Sequence, residues 1–243
     1  MDMFGAAYKA AQQRVAAFVE DKDPDRVVPA CPDWSVTDVV RHLAGISADA
    51  TNLVFEGFAS DPWTEAQVSA RRDKSLGEVL VEWDATIDPA VETFGRVDEL
   101  DIPPVIDSAL GPLPSKVLGA TAVSDILHHE FDLRNTFGDT GSRDLLEVHM
   151  TAAGHVRSLR AAFSTKGLPT LRIESTDAGQ GWNIGLTEPV AVGRATSFEI
   201  LRGIGGRRTR EELLAWDWEG DPEPFVDQMV LPHLSMRTVS LGE

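Results

Sequence analysis

The sequence predicts an α+β protein with a helical N-terminal domain, residues 1–166, and a small α+β domain, residues 167–243. Apolar residues recur every three or four positions through most of the first segment, which is the spacing of one helix face. After residue 167 the pattern changes to short alternating runs separated by turn residues, which is typical of strands. The 243-residue length is enough for two such domains.

The first domain divides into five predicted helices, over residues 6–22, 35–59, 75–95, 115–138 and 142–163. Pro89 is expected to kink or split the third helix. The four prolines of DIPPVIDSALGPLPS predict a loop over 101–115. In the second domain TLRIEST, GWNIGLTE and PVAVGR predict strands, whereas ATSFEILRGIGG and TREELLAWDWEG predict helices, or a helix followed by a strand.

The 22 basic and 39 acidic residues give a net charge of −17. A field of this sign repels phosphate backbones and anionic membrane surfaces, so neither nucleic acid nor membrane is an expected partner. No apolar run of about 18 residues predicts a transmembrane helix, and the acidic, polar-interrupted N-terminus does not resemble a signal peptide. We therefore expect a cytoplasmic protein, monomeric or homodimeric. The single cysteine excludes an internal disulfide.

The segment ACPDWSVTDVVRHLAGI, residues 30–46, has the features of a helix start. Ser35 is a suitable N-cap, and Asp38, three residues on, is a weaker version of the capping-box acid. Trp34 and Val39 have the spacing of a hydrophobic staple. The segment is therefore explained as a helix start without any catalytic role.

His42 lies at the border of the apolar stripe of that helix, so it is either a half-buried hydrogen-bonded residue or a functional one. Cys31 precedes the helix cap, and the rise along the helix makes a direct hydrogen bond to His42 unexpected unless the loop folds back. We therefore expect Cys31 to be a loop or core residue rather than the nucleophile of a Cys–His pair.

The segment SDILHHEFD places a second polar group on the fourth predicted helix. Asp125 and His129 are four residues apart, so they project from one face, one turn apart, beside an apolar arc. Burying a carboxylate and an imidazole without partners is costly. Either an Asp–His hydrogen bond satisfies them, or a divalent metal does, with His42 as a third ligand from a facing helix. Three protein ligands leave open positions, as in a catalytic metal site.

Three segments together resemble the mycothiol-dependent maleylpyruvate isomerase-like family of the DinB/YfiT-like metalloenzyme superfamily. They are VPACPDWSVTDVVRHLAG, DILHHEFDL and GRATSFEILRGIGGRRTREELLAWDWEGD. The resemblance extends over most of the chain, except residues 60–110. It implies a four-helix bundle with a divalent metal, usually zinc, followed by a small α/β domain of the sterol-carrier-like kind.

Carried over by position, the resemblance implies that His42, Asp125 and His129 are the metal ligands. It also implies that Asp132 has an orienting or a capping role behind them. The family more often has Glu at the position of Asp125, so the metal is expected to sit differently or bind more weakly. The implied cosubstrate is mycothiol, the low-molecular-weight thiol of actinobacteria. Its thiolate would attack a small electrophilic substrate, either in thiol transfer or in isomerisation of a double bond.

Basic side chains of the second domain are expected to hold an anionic substrate or the polar groups of the thiol. The candidates are Arg194, Arg202, Arg207 and Arg208, and we take Arg202 and Arg208 as the catalytic pair. Two alternatives remain open. One is a metal-dependent hydrolase on the same bundle, in which the metal activates water. The other is a non-catalytic metal- or ligand-binding protein.

Overall fold

The computed structural model describes residues 3–243, and the chain divides into two compact units, Met1–Asp139 and Thr140–Glu243. Helices dominate the first unit, and the second combines a four-stranded sheet with helices. The predicted mixed class of helix and sheet is thus confirmed. Among the described residues, no helix has both the length and the apolar character needed to cross a bilayer.

The first unit contains five α-helices within the described residues. They are α1 (Met3–Val19), α2 (Val36–Thr51), α3 (Asp61–Ser69), α4 (Leu76–Gly95) and α5 (Leu118–Thr136). A short antiparallel ladder of β1 (Val27–Val28) and β2 (Cys31–Ser35) precedes α2. A second, β3 (Val105–Ile106) with β4 (Leu113–Pro114), lies within the predicted proline-rich loop.

Four of these helices, α1, α2, α4 and α5, pack on one another, and α3 packs on α2. Trp83 of α4 and Tyr8 of α1 are fully buried. Both reach Ser47 of α2: the Trp83 indole donates to Ser47 Oγ at 3.0 Å, and the Tyr8 hydroxyl lies 3.1 Å from the same oxygen. Apolar burial and this shared hydroxyl therefore join three helices.

The predicted helix over 35–59 is wrong in its second half. The helix α2 ends at Thr51, because Leu53 has a φ of 58°, a left-handed conformation that a right-handed helix cannot include. The chain turns and starts α3, where Ser60 Oγ accepts a hydrogen bond from the Trp63 amide at 3.3 Å. By contrast, α4 continues through Pro89 without being split.

A buried ion pair joins α1 to α5. The side chain of Glu130 is only 3% exposed and accepts from Arg14 at 2.8–3.1 Å. Arg134 donates to the same carboxylate at 3.1 Å from one turn further along α5. Two guanidinium groups thus compensate the burial of one carboxylate.

The second unit begins with α6 (Leu146–Thr165), and four strands form its sheet in the order β6-β5-β7-β8. These are β5 (Leu171–Ser175), β6 (Gln180–Ile184), β7 (Ala191–Ala195) and β8 (Asp217–Glu219). The central pair β5 and β7 is parallel, and both edge strands are antiparallel to their neighbours. Short helices α7 (Ser197–Ile204), α8 (Arg210–Leu214) and α9 (Glu223–Val226) complete the unit. TREELLAWDWEG forms a helix followed by a strand.

The helix α6 packs against α7 and β6, so its contacts place it in the second unit. The compact units therefore divide the chain earlier than residues 166/167, where the change of sequence pattern puts the domain boundary. That boundary stays a prediction about domain organisation.

Replacing Arg14 by alanine is expected to lower the free energy of unfolding by about 3 kcal/mol, because Glu130 stays buried and loses a guanidinium partner. Lys9 on the same helix is the matched control, since its ion pair with Asp88 is largely exposed. Lys9→Ala is expected to cost less than about 1 kcal/mol. Urea unfolding of both variants measures the difference, and equal losses would contradict the assigned role of Glu130.

Candidate metal centre

The start of α2 positions His42. Ser35 Oγ accepts from the Asp38 amide at 3.2 Å, and Asp38 Oδ2 accepts from the Ser35 amide at 3.1 Å, so the predicted capping box is confirmed. The helix begins at Val36, which places His42 about two turns in. Its side chain is 6% exposed. The start of α2 therefore fixes the position of the buried His42 imidazole along the helix.

Three side chains that the sequence predicted as ligands lie together between α2 and α5. One donor atom from each of His42, Asp125 and His129 lies within 4.8 Å of the other two. The imidazole of His42 is perpendicular to that of His129, with 5.3 Å between ring centroids. Both histidines are buried, and Asp125 is one-third exposed. Their convergence is a finding of the structure, whereas metal binding stays a prediction.

The nitrogen–oxygen distances decide which interaction these groups suit. His42 Nε2 is 3.4 Å from Asp125 Oδ2, and His129 Nε2 is 3.8 Å from Asp125 Oδ1. Both separations exceed the 2.7–3.2 Å range of ordinary hydrogen bonds. Two ligands each about 2.1 Å from a tetrahedral zinc lie about 3.4 Å apart. The spacing of the three groups therefore suits a shared cation better than direct pairing.

The electrostatics of the pocket favour a positive charge at the same place. Burial lowers the pKa of His129, but the charge of Asp125 and the nearby Asp132 and Cys31 outweigh it and raise that pKa to about 10. In the absence of a metal, a proton on His129 would therefore offset the charge of Asp125. A divalent cation would compete with that proton for the same negative field.

Asp132 and Cys31 lie on the other side of the His129 ring. Asp132 Oδ2 is 3.5 Å from His129 Nδ1, and Cys31 Sγ is 4.0 Å from the same oxygen. The strands β1 and β2 pair, β1 packs on α5, and Cys31 at the start of β2 lies beside Asp132 of α5. The sequence predicted a loop or core residue at Cys31 and gave no sign that it would lie beside Asp132. Its neighbours are on α5, and only the hairpin, which the sequence did not reveal, places it there.

Trp34 packs against both histidines. Its ring centroid is 5.3 Å from that of His42 and 6.1 Å from that of His129, with the second pair nearly stacked. The spacing of Trp34 and Val39 predicted a hydrophobic staple at the helix start. It did not predict the contacts of Trp34 with the two histidines. Gln67 of α3 is a second residue that sequence reasoning missed, and its Oε1 lies 2.7 Å from His42 Nδ1.

The arginines predicted to be catalytic lie in the second unit, where carboxylates bind them. Arg202 is fully buried and donates to Glu243 at 2.9 Å. Arg208 donates to Glu199 and Glu243 at 2.7 Å each, and these partners raise its pKa although burial opposes the shift. Arg194 is bound similarly by Glu174 and Glu219, whereas Arg207 donates to the Gly205 carbonyl.

The second unit has its own group of potential ligands, formed by Asp144, His149 and Asp177. His149 bonds through both nitrogens, Nδ1 lying 2.7 Å from Ser197 Oγ and Nε2 2.9 Å from Asp144 Oδ1. The Asp144 side chain is 87% exposed. Existing hydrogen bonds satisfy both nitrogens of His149, and Asp144 is exposed, so this group is a weaker candidate than the one between α2 and α5.

The fold is similar to that of two crystal structures, and each match covers 85% of this chain and 92% of the other. One is described as the mycothiol-dependent maleylpyruvate isomerase, with a TM-score of 0.59 and 11% identity. The other is a mutant of that enzyme with one histidine changed to alanine, with a TM-score of 0.58 and 10% identity. At such identity the likeness shows the fold alone.

None of the curated proteins compared with the sequence matches it. The family of mycothiol maleylpyruvate isomerase N-terminal domains matches residues 6–134, which is more than half of the chain. This range contains α2 and most of α5, and with them the three converging side chains. The chain therefore belongs to the mycothiol maleylpyruvate isomerase N-terminal domain family.

Proposed function

We propose that this chain is a divalent-metal-dependent enzyme that uses mycothiol to isomerise, or to transfer the thiol to, a small electrophilic substrate. The observation that carries the proposal is the convergence of His42, Asp125 and His129 between α2 and α5 at spacings that suit a shared cation. Within this proposal, α1, α2, α4 and α5 are the four-helix bundle of DinB-like enzymes, and the second unit is its sterol-carrier-like partner.

The donor set argues for zinc. Two imidazoles and one carboxylate are common ligands of catalytic zinc sites, which keep a further position open. When bound there, the metal would lower the pKa of an incoming thiol and so favour its thiolate at neutral pH. Asp125 is an aspartate where the family more often has a glutamate, yet its oxygens lie 3.4 and 3.8 Å from the two imidazoles. The shorter side chain therefore still reaches both.

The neighbouring residues would shape the reaction. Trp34 covers both histidines on one side and offers an apolar wall to a substrate. Asp132 lies beside His129 Nδ1 and would hold that ring so that Nε2 faces Asp125. Asp125 is partly exposed, which leaves the pocket open to solvent on its side. A ligand would enter there.

The chemistry of a thiol-dependent isomerase needs no oxidant. The sulfur of the thiolate bonds to one carbon of a conjugated double bond, and the π electrons move onto the conjugated carbonyl. The resulting single bond rotates, the carbon–sulfur bond breaks, and the thiolate leaves as the double bond forms again. Maleylpyruvate, the substrate in the name of the structurally similar enzyme, has this kind of conjugated double bond and is the first compound to test.

For Arg202 and Arg208 we propose a structural role in the second unit, because Glu199 and Glu243 already bind their guanidinium groups. Contact of either arginine with substrate stays a prediction from the sequence. We therefore expect the residues that contact substrate to lie near Trp34 in the first unit.

The metal site can be tested by elemental analysis. Purified protein loaded with zinc is expected to hold one equivalent, and His42→Ala and His129→Ala are each expected to lose it, because two remaining ligands bind weakly. His149→Ala is the control, since it removes a histidine from the ligand group of the second unit. Full zinc content in the His42 variant, together with loss of zinc in the His149 variant, would show that the metal site lies in the second unit instead.

The reaction class can be tested by varying the thiol. Isomerisation of maleylpyruvate, or thiol transfer to a related electrophile, is expected to need mycothiol and zinc together, and to fall at least about 100-fold in Asp125→Ala, which removes a ligand from the pocket. Turnover of ester or amide substrates without added thiol would identify a hydrolase instead. Binding of zinc and mycothiol without turnover of any substrate would indicate a non-catalytic protein.

Without metal, the protein should lose stability at alkaline pH. Since the pKa of His129 is raised from 6.5 to about 10, the stabilisation from its proton is fully present below about pH 6.5 and disappears as the pH rises toward 10. Urea unfolding in the presence of a chelator is expected to show this fall in the wild type and a smaller one in His129→Gln. An equal fall in both proteins would contradict the assignment of the proton to His129.

A further inference from the structure

The two nitrogens of His42 face different partners. Nε2 faces Asp125 at 3.4 Å, inside the proposed ligand group. Nδ1 lies 2.7 Å from Oε1 of Gln67, a residue of α3 that is 3% exposed. A histidine that binds a metal through one nitrogen needs its other nitrogen held, because that second contact fixes the ring and its tautomer. Gln67 is placed to provide it.

The direction of the Gln67 amide follows from its second partner. Gln67 Nε2 donates to Asp49 Oδ2 at 2.6 Å. An ionised carboxylate only accepts hydrogen bonds, so the NH₂ group must face Asp49 and the amide oxygen must face His42. That oxygen also only accepts, so Nδ1 of His42 must be the donor. A neutral imidazole carries one proton, and Nε2 therefore keeps its lone pair directed toward Asp125.

Gly45 explains how Gln67 comes so close to α2. A β-carbon at Gly45 would lie 2.4 Å from the Gln67 Cβ and 2.6 Å from its Cγ, closer than real contacts allow. The Gln67 side chain thus passes over the bare backbone of α2 one turn from His42. Glycine in a helix interior lowers helix stability relative to alanine, so this position needs another reason, and the passage of Gln67 supplies it.

We propose that Asp49, Gln67 and Gly45 act together as positioning residues that hold His42 with Nδ1 protonated and Nε2 free to bind a metal. This rests on the proposed function only for the identity of the ligand that Nε2 binds. The tautomer itself is a property of the metal-free protein. Asp49 fixes the amide, the amide fixes the imidazole, and Gly45 gives the amide its space.

The test uses four variants and two measurements. Gln67→Leu removes the acceptor with little change in volume. Gly45→Ala displaces Gln67, and Gly77→Ala is its control, because a β-carbon at Gly77 meets nothing within 4 Å. The double variant Asp49→Asn/Gln67→Glu exchanges the amide and the carboxylate. Residue 67 then still accepts from His42 while residue 49 donates, and the total charge is unchanged.

The first measurement is the tautomer of His42 in metal-free protein, from long-range proton–nitrogen NMR correlations of the imidazole. The second is zinc affinity by competition with a chelator. We expect wild type, Gly77→Ala and the exchanged double variant to show the Nδ1-protonated form. Gln67→Leu and Gly45→Ala are expected to lose that single form and to bind zinc about 10- to 100-fold more weakly.

An Nε2-protonated His42 in the metal-free wild type would overturn the proposal, as would unchanged zinc affinity and tautomer in Gln67→Leu. A wild-type protein that binds no zinc yet shows the expected tautomers would contradict the proposed function and support the positioning. If Gln67→Leu does not fold, Gly45→Ala against Gly77→Ala and the exchanged pair decide the question with the same measurements.

Discussion

The first unit depends on one constraint, which is that two imidazoles and a carboxylate share a pocket between α2 and α5. Polar groups in such a place must be compensated, since burial without partners costs several kcal/mol. The spacing of His42, Asp125 and His129 is too wide for direct hydrogen bonds and suits a cation between them. A buried charge is also compensated elsewhere on α5, where Arg14 and Arg134 bind the buried Glu130. α5 thus carries charge on two faces, with a different compensating partner for each.

The sequence predicts those parts of the site that are local. A capping box fixes where α2 begins, and four-residue spacing puts Asp125 and His129 on one side of α5. Both helices that carry the three side chains therefore follow from patterns within about ten residues. The meeting of the two helices does not follow from spacing, because nothing local relates residues some 80 positions apart. The resemblance to a family supplied that step, and the structure brings the three side chains together.

The parts that the sequence could not show depend on tertiary packing. Gln67 lies 25 residues from His42 in a short helix and reaches it only through the space left by Gly45. Cys31 comes beside Asp132 because a two-residue strand pairs back along the chain, a pairing too short for any periodic signal. The end of α2 at Thr51 is set by a left-handed residue in a stretch with an otherwise helical pattern. Sequence alone likewise does not distinguish an arginine that binds a ligand from one that binds a buried glutamate.

Residue 125 is an aspartate where glutamate is more common, and this affects whether its carboxylate can share a cation with His42 and His129. On a helix, removing one methylene draws the carboxylate toward its own backbone, so the partners must approach α5 if the group is to be shared. His129 meets this condition automatically, because it lies one turn along the same helix. His42 belongs to another helix and is not brought close to Asp125 in this way. Its ring must therefore be held at the nitrogen that faces away from Asp125. The contact between Gln67 and Nδ1 does this, and it leaves Nε2 3.4 Å from Asp125. The shorter acid and the rigid support of the facing histidine are therefore parts of one arrangement.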